Sequence, residues 1–174
     1  MYKFVLAVMS LTLLLPVQSS ALDANNLTQE EQTMLRNNCK SAQRTMQRIQ
    51  YVDPVARVNR GIAYNNVTKL MSAMTARAAF NAYSIPQFSI ETEAVQNLRA
   101  QFAEDYTDYE IALRDLINFD CTENPKEFYE RLVDVRAKRA IITLRIREID
   151  RRLDVYAASV TQLGELIEAK DIGR

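Results

Sequence analysis

Residues 128–167 read FYERLVDVRAKRAIITLRIREIDRRLDVYAASVTQLGELI, and the spacing within this stretch decides the fold. Phe128, Leu132, Val135, Arg139, Ile142, Ile146, Ile149, Leu153, Tyr156, Val160, Leu163 and Ile167 recur at alternating steps of four and three. An apolar residue every 3.5 positions keeps one helical stripe against a partner helix, which is the pattern of a coiled coil. Each large knob contributes on the order of 1.5–3 kcal/mol on burial, whereas an exposed ion pair gives about 0–1 kcal/mol, so the seam sets the packing. Arg139 breaks the apolar run; a lone polar seam residue fixes register or partner, here through a carboxylate on a facing helix. A second stripe, Val133, Ala137, Ile141 and Leu144, stops before Arg147, Glu148, Arg151 and Arg152. The first half of this helix is therefore expected to meet two neighbours and the second half one.

Working outward, Asn124-Pro125-Lys126-Glu127 gives the start signal of this helix (125–170): a capping asparagine, a first-turn proline and a glutamate three residues on. Upstream, Val95, Leu98, Phe102, Tyr109, Ala112, Leu116 and Phe119 form the seam of a helix over 90–119. The loop Ser84–Ser89 separates it from a helix over 54–83, with Asp53-Pro54 read as N-cap and first-turn proline. That helix carries Val55, Val58 and Ile62, then Val67, Leu70, Met74 and Ala78. A first helix over 28–52 opens on the capping box Thr28…Glu31 and carries Leu35, Cys39, Ala42, Met46 and Ile49. Asp53-Pro54 either turns the chain back, giving four helices, or only kinks one long helix, giving three. The expected fold is thus all-α: an elongated antiparallel three- or four-helix bundle of residues 28–170 with a long C-terminal helix.

The first 21 residues look like a secretory signal. Lys3 precedes an apolar run from Phe4 to Val17, and Ser19-Ser20-Ala21 supplies the small residues before a cut. The run is shorter than the roughly 20 residues a spanning helix needs, and no second apolar segment follows. Residues 22–27 read as a short linker and 171–174 as a tail. The expectation is an extracytoplasmic protein with no integral membrane segment after cleavage. Cys39 and Cys121, an even pair in an oxidising compartment, suggest one disulfide. Pairing requires the helix before Cys121 to unwind near Asn118-Phe119-Asp120, because the two α-carbons must approach within about 7 Å. That is easier if the first helix continues through Pro54 than if it folds back.

Composition excludes more chemistry than it suggests. The chain has no histidine and only three glycines among 174 residues. That removes histidine triads, histidine-ligated metals and histidine pH switches, as well as phosphate-binding glycine loops. The formal charge is zero, but residues 22–90 carry eight basic and four acidic side chains, 91–130 three and eleven, and 131–174 ten and seven. The balance gives no reason to expect nucleic acid. The acidic middle segment reads as a helix pairing with basic neighbours rather than as a cation site at Glu104, Asp105, Asp108 and Glu110. Arg57-Val58-Asn59-Arg60-Gly61 is expected to place Arg57, Asn59 and Arg60 in an interhelical polar network with Arg139. No carboxylate pair stands out as a general acid and base, and neither an enzyme nor a cofactor is expected.

Asn38-Cys39-Lys40, Arg57-Val58-Asn59-Arg60-Gly61 with Tyr64, Leu70-Met71, and Asp120-Cys121 followed by Pro125 and Phe128-Tyr129 resemble uncharacterised exported helical proteins of small, reduced-genome bacteria. The likeness covers about residues 38–160. It implies an extracytoplasmic helical protein and carries no activity with it. The functional expectation is a non-catalytic interaction or structural module that associates with itself or with an envelope protein. Its contact surface is expected at the bundle tip, from Ile85, Phe88, Val160, Leu163 and Ile167. The alternative is a holdase-like chaperone or carrier of apolar clients.

Overall fold

The computed structural model describes residues 27–172, and among these it is all-α: α1 (Gln29–Phe80), α2 (Pro86–Ile117) and α3 (Pro125–Ile172). The expected signal segment, linker residues 22–26 and tail residues 173–174 lie outside the described residues. Each helix starts where its local chemistry dictates. Thr28 and Glu31 satisfy each other's backbone amides at the head of α1, and α2 and α3 each open on a proline whose missing N–H costs nothing in a first turn. At its C-terminus α1 closes in a Schellman arrangement: Tyr83 N–H donates to the Ala78 carbonyl, Ala82 N–H donates to that of Ala79, and Ala82 sits at φ 59°.

Of the two arrangements left open by Asp53-Pro54, the chain takes the continuous one. α1 runs for 52 residues with Pro54 in its interior, so the expected start of a separate helix at Pro54 is corrected. The Asp53 carboxylate does not cap a helix. It is occupied by the Tyr109 hydroxyl at 2.8 Å and by Arg139 at 3.6 Å, and the Asp53 carbonyl accepts from the Tyr106 hydroxyl at 3.2 Å. Contacts to α2 continue on both sides of the proline, which holds the helix on one track.

The cross-helix contacts give the directions. Arg57 meets Glu110, Tyr64 packs edge-on to Phe102, and Thr75 reaches Thr92, so α1 and α2 are antiparallel. Arg145 meets Asp105 at 2.9 Å and Arg152 meets Glu91 at 3.3 Å, so α2 and α3 are antiparallel too. α1 and α3 run parallel, with Arg139 level with Asp53 and the Tyr156 hydroxyl on the Met71 carbonyl at 2.9 Å. These pairs are the cross-bundle matching expected of an acidic middle helix. The seams read from sequence fill the core: Val95, Phe102, Tyr109 and Leu116 of α2 and Phe128, Val135, Ile142, Ile149 and Tyr156 of α3 are buried.

Cys39 and Cys121 are joined, with α-carbons 5.7 Å apart. α2 ends at Ile117, and a turn-rich connection over 118–124 carries Cys121 against α1. The carbonyls left open at that helix end need donors, and buried Gln43 supplies its amide to Ile117 and Phe119 at 2.9 and 2.8 Å. Arg36 donates to the Thr122 carbonyl. Arg36, Cys39 and Gln43 lie at steps of three and four on one face of α1, so a single helical stripe holds the whole α2–α3 connection.

Candidate functional site

The middle of α1 is inside-out. Between residues 51 and 63 the only positions that are not exposed are Asp53, Arg57 and Gly61. They belong to one inward stripe, Cys39, Gln43, Met46, Gln50, Asp53, Arg57, Gly61, Tyr64, Thr68, Met71, Thr75 and Ala78, that passes straight through the proline. The apolar residues of the same stretch point to solvent: Tyr51 is 85% exposed, Val52 61%, Val55 62%, Val58 56% and Ile62 56%. Val55, Val58 and Ile62, expected in the bundle seam from their spacing, lie outside it, which corrects that expectation. An apolar stripe at helical spacing marks a partner face, but it does not say that the partner lies within the chain.

The inward side of this segment is held by polar groups. Arg57 pairs with Glu110 and lies over the Tyr106 ring at 5.7 Å. Arg139 is more than half exposed, yet it reaches the carboxylate on the facing helix that its seam position called for. Burial, and then the Asp53 carboxylate, raise the Tyr106 phenol above its usual range. Burial and the hydrogen bond to Asp53 do the same more strongly for Tyr109. Both hydroxyls therefore remain protonated donors to Asp53. The Tyr64 hydroxyl is buried and has no hydrogen-bond partner among the described residues. Asn59 and Arg60 are exposed and take no part in this network, which corrects their expected role: positions 59 and 60 fall between the inward stripe residues Arg57 and Gly61. Asn65, one turn further along, accepts from Arg99 at 2.7 Å.

On another side of α1, a groove of about 450 Å³ runs between α1 and α3. Tyr109 and Leu113 of α2 form part of its wall, with Met46 and Ile49 from α1 and Leu132 and Val135 from α3; Arg136 and Arg139 also line it. Arg136 pairs with no carboxylate among the described residues. The groove offers an apolar bed beside a cation, the chemistry that would accept an aliphatic chain with an anionic end.

The expected tip surface is corrected in part. Ile85 and Phe88 are buried, Phe88 against the Tyr156 ring at 4.9 Å. The turn after α1 folds these residues onto the end of α3 and leaves them no free face. Val160 and Leu163 are half-buried against the same core, while Ile167 is 40% exposed. The second stripe of α3 did not find its neighbour either: Val133, Ala137, Ile141 and Leu144 are exposed. They lie on the far side of their helix from the Val135–Ile142–Ile149 seam. Of the four acidic residues weighed as a cation site, Asp105 and Glu110 are engaged by arginines, and Glu104 and Asp108 are exposed. Among the described residues no group of three or more cysteine, aspartate or glutamate side chains could hold a metal.

No protein-family model, no curated protein and no solved structure matches this chain. Among the described residues no helix is long and apolar enough to cross a membrane. That and the disulfide are compatible with an extracytoplasmic location.

Proposed function

We propose that this chain is an exported, non-catalytic helical interaction module of the kind its resemblance to exported helical proteins implies. It works outside the cytoplasm and presents the outward stripe of α1 to a protein partner. The observation that carries this reading is the inversion of α1 between Tyr51 and Ile62, where five apolar side chains face solvent and an aspartate and an arginine face the bundle. Isolated apolar side chains on a surface are ordinary; a contiguous stripe at helical spacing marks an interaction site. Each of these side chains has half or more of its surface still to bury, so a partner covering all five gains on the order of 5–8 kcal/mol gross. Association costs about 4–15 kcal/mol in lost freedom. The stripe alone therefore supports weak binding, and the charges flanking it decide the partner.

A photo-crosslinking residue placed at Val55 or Val58 in the exporting cell tests the reading. Discrete adducts are expected, and their loss when Ile62 is replaced by Asp, with the melting temperature unchanged, completes the case. An absence of adducts from both positions would overturn it. The groove beside Arg136 favours a second reading, a carrier of apolar clients with an anionic end. Native mass spectrometry of the exported protein would reveal such a ligand. A ligand-free spectrum, together with failure to slow aggregation of an unfolded test protein, would rule that reading out.

A further inference from the structure

The cations along α1 continue its outward stripe at the same spacing. Arg44, Arg48, Tyr51, Val55, Val58 and Ile62 follow at steps of four and three, and Lys69 lies seven residues on; all are exposed. Arg44, Arg48 and Lys69 pair with no carboxylate among the described residues. Between Gln32 and Ile90 the single acidic residue is Asp53, turned inward to Tyr109 and Arg139. The outer face of α1 is thus apolar at its centre and positive at both ends.

A face of the opposite kind lies on α2 and α3. Glu104, Asp108, Ile111 and Asp115 follow at steps of four, three and four, and all are exposed. Glu104 and Asp108 pair with no cation among the described residues, and Asp115 meets only its neighbour Arg114, at 3.8 Å. A shallow groove separates this stripe from α3; Asp108, Ile111 and Asp115 line it from α2, and Arg131 and Lys138 line it from α3, each of these cations paired with a carboxylate of its own helix, Glu127 and Asp134. On α3 the exposed stripe Val133, Ala137, Ile141 and Leu144 supplies apolar surface at the same end of α2.

We propose, resting on the interaction reading above, that the partner of the α1 stripe is the acidic α2–α3 face of a second copy of this chain. Two other occupants fit less well. Pairing α1 with α1 of another copy would set Arg44 and Arg48 against Lys69 if antiparallel, or each cation against itself if parallel; like charges in register are disfavoured. An anionic lipid surface would suit α1 but would leave the acidic α2 stripe and the apolar α3 stripe uncovered. A second copy satisfies both faces with one contact. The two faces differ, so the contact is head-to-tail and repeats from copy to copy.

Charge reversal on either face tests this with the oxidised, exported protein. The variants are Arg44→Glu with Arg48→Glu, and Glu104→Arg with Asp108→Arg; all four positions are exposed, and circular dichroism checks that each variant is folded. Sedimentation of the wild type should show association that rises with protein concentration and weakens with salt. Each double variant alone should sediment as a monomer at concentrations where the wild type associates, and an equimolar mixture should associate again, because reversed α1 faces then meet reversed α2 faces. A wild type that stays monomeric overturns the proposal, as does association that survives either reversal or a mixture that stays monomeric. Binding of the monomeric wild type to anionic vesicles, lost with Arg44→Glu and Arg48→Glu, would assign the stripe to lipid instead. If the wild type is monomeric yet Val55 crosslinks a different envelope protein in the cell, the second copy is refuted while the interaction reading stands; if Val55 crosslinks nothing, both fall.

Discussion

Replacing Pro54 with alanine should stabilise the protein, because α1 continues through that residue. Proline in a helix interior costs about 3 kcal/mol relative to alanine, since it lacks the amide that would bond to residue 50 and its ring crowds that carbonyl. Pro54 is exposed, so no packing is lost with the ring. The offset comes from Asp53. If the helix straightens, the Tyr106 contact to the Asp53 carbonyl, the longer of the two tyrosine contacts at 3.2 Å, is the one to break. A typical hydrogen bond contributes about 1 kcal/mol. The net gain is then about 2 kcal/mol, equivalent to a rise of roughly 4–8 °C in Tm for a chain of this size. Thermal and urea melts followed by circular dichroism, run below the concentration of any association, would read it as a higher midpoint with an unchanged urea slope. The opposite architecture predicts the opposite sign. With Asp53 as a cap and Pro54 in a first turn, the proline is pre-organised, and alanine would lower stability by a few tenths to 1 kcal/mol. A lower midpoint for Pro54→Ala would refute the continuous helix.

Three further outcomes follow from the same contacts. Reducing the Cys39–Cys121 bond, which closes a loop of 82 residues, should cost about 4.5 kcal/mol by the chain-entropy relation, seen as a lower urea midpoint for the reduced protein or for Cys39→Ser with Cys121→Ser; identical midpoints would contradict it. Ala82 holds φ 59° at the end of α1, a conformation that costs a residue with a Cβ about 1–2 kcal/mol, so Ala82→Gly should raise stability by about 0.5–1 kcal/mol after glycine's own entropy cost, and a lower Tm would count against the Schellman turn. Tyr109 has a folded pKa raised above the ordinary 10.0 by burial and Asp53, so its contribution is fully present below pH 10 and is lost as pH rises from there toward the folded value; Tyr109→Phe should lower Tm at pH 8, where the hydrogen bond to Asp53 is missing, but flatten the fall of Tm above pH 10, and an unchanged alkaline slope would exclude Tyr109 as its source.

The fold was legible wherever a helix has one apolar face. α2 and α3 each carry a single dominant seam, and Phe102, Tyr109, Leu116, Val135, Ile142 and Ile149 are buried as their spacing demands. The acidic α2 between basic neighbours was legible too, because Arg57, Arg145 and Arg152 take up its carboxylates. α1 was not, since it carries two stripes in its middle and hydropathy alone selects the wrong one. The signal that could have found the inward stripe is register: the 4-3 alternation from Cys39 through Gln43, Met46, Gln50 and Asp53 to Arg57 slips by one residue at Gly61 and resumes through Tyr64 to Ala78. Polar residues at seam positions hid it. The tip was misread for a related reason. Ile85 and Phe88 flank a loop proline and look exposed, but the length of α3 brings Tyr156 over Phe88 and closes the surface.

The inversion is a property of the whole bundle rather than a local accident. Rotating α1 by about half a turn would bury Val55, Val58 and Ile62 and release Asp53 and Arg57 to water, a locally favourable exchange. The rotation is blocked at both ends. Below, Cys39 is bonded to Cys121, and Gln43 donates to the carbonyls of Ile117, the last residue of α2, and Phe119 just beyond it. Above, the Met71 carbonyl accepts from Tyr156, and Thr75 contacts Thr92. Each fixes the same rotational setting, so the segment between them must present whatever its outward positions encode. Pro54 and Gly61 weaken the helix within this span, and a Cβ at Gly61 would meet nothing within 4 Å, so the glycine does not serve close packing. A chain whose only demand was a stable bundle would place alanine or leucine at these inward positions and charges outside. Here the clamps at Cys39 and Met71 hold an apolar stripe in solvent against its own tendency to turn in, and that arrangement makes physical sense when something outside the chain covers the stripe.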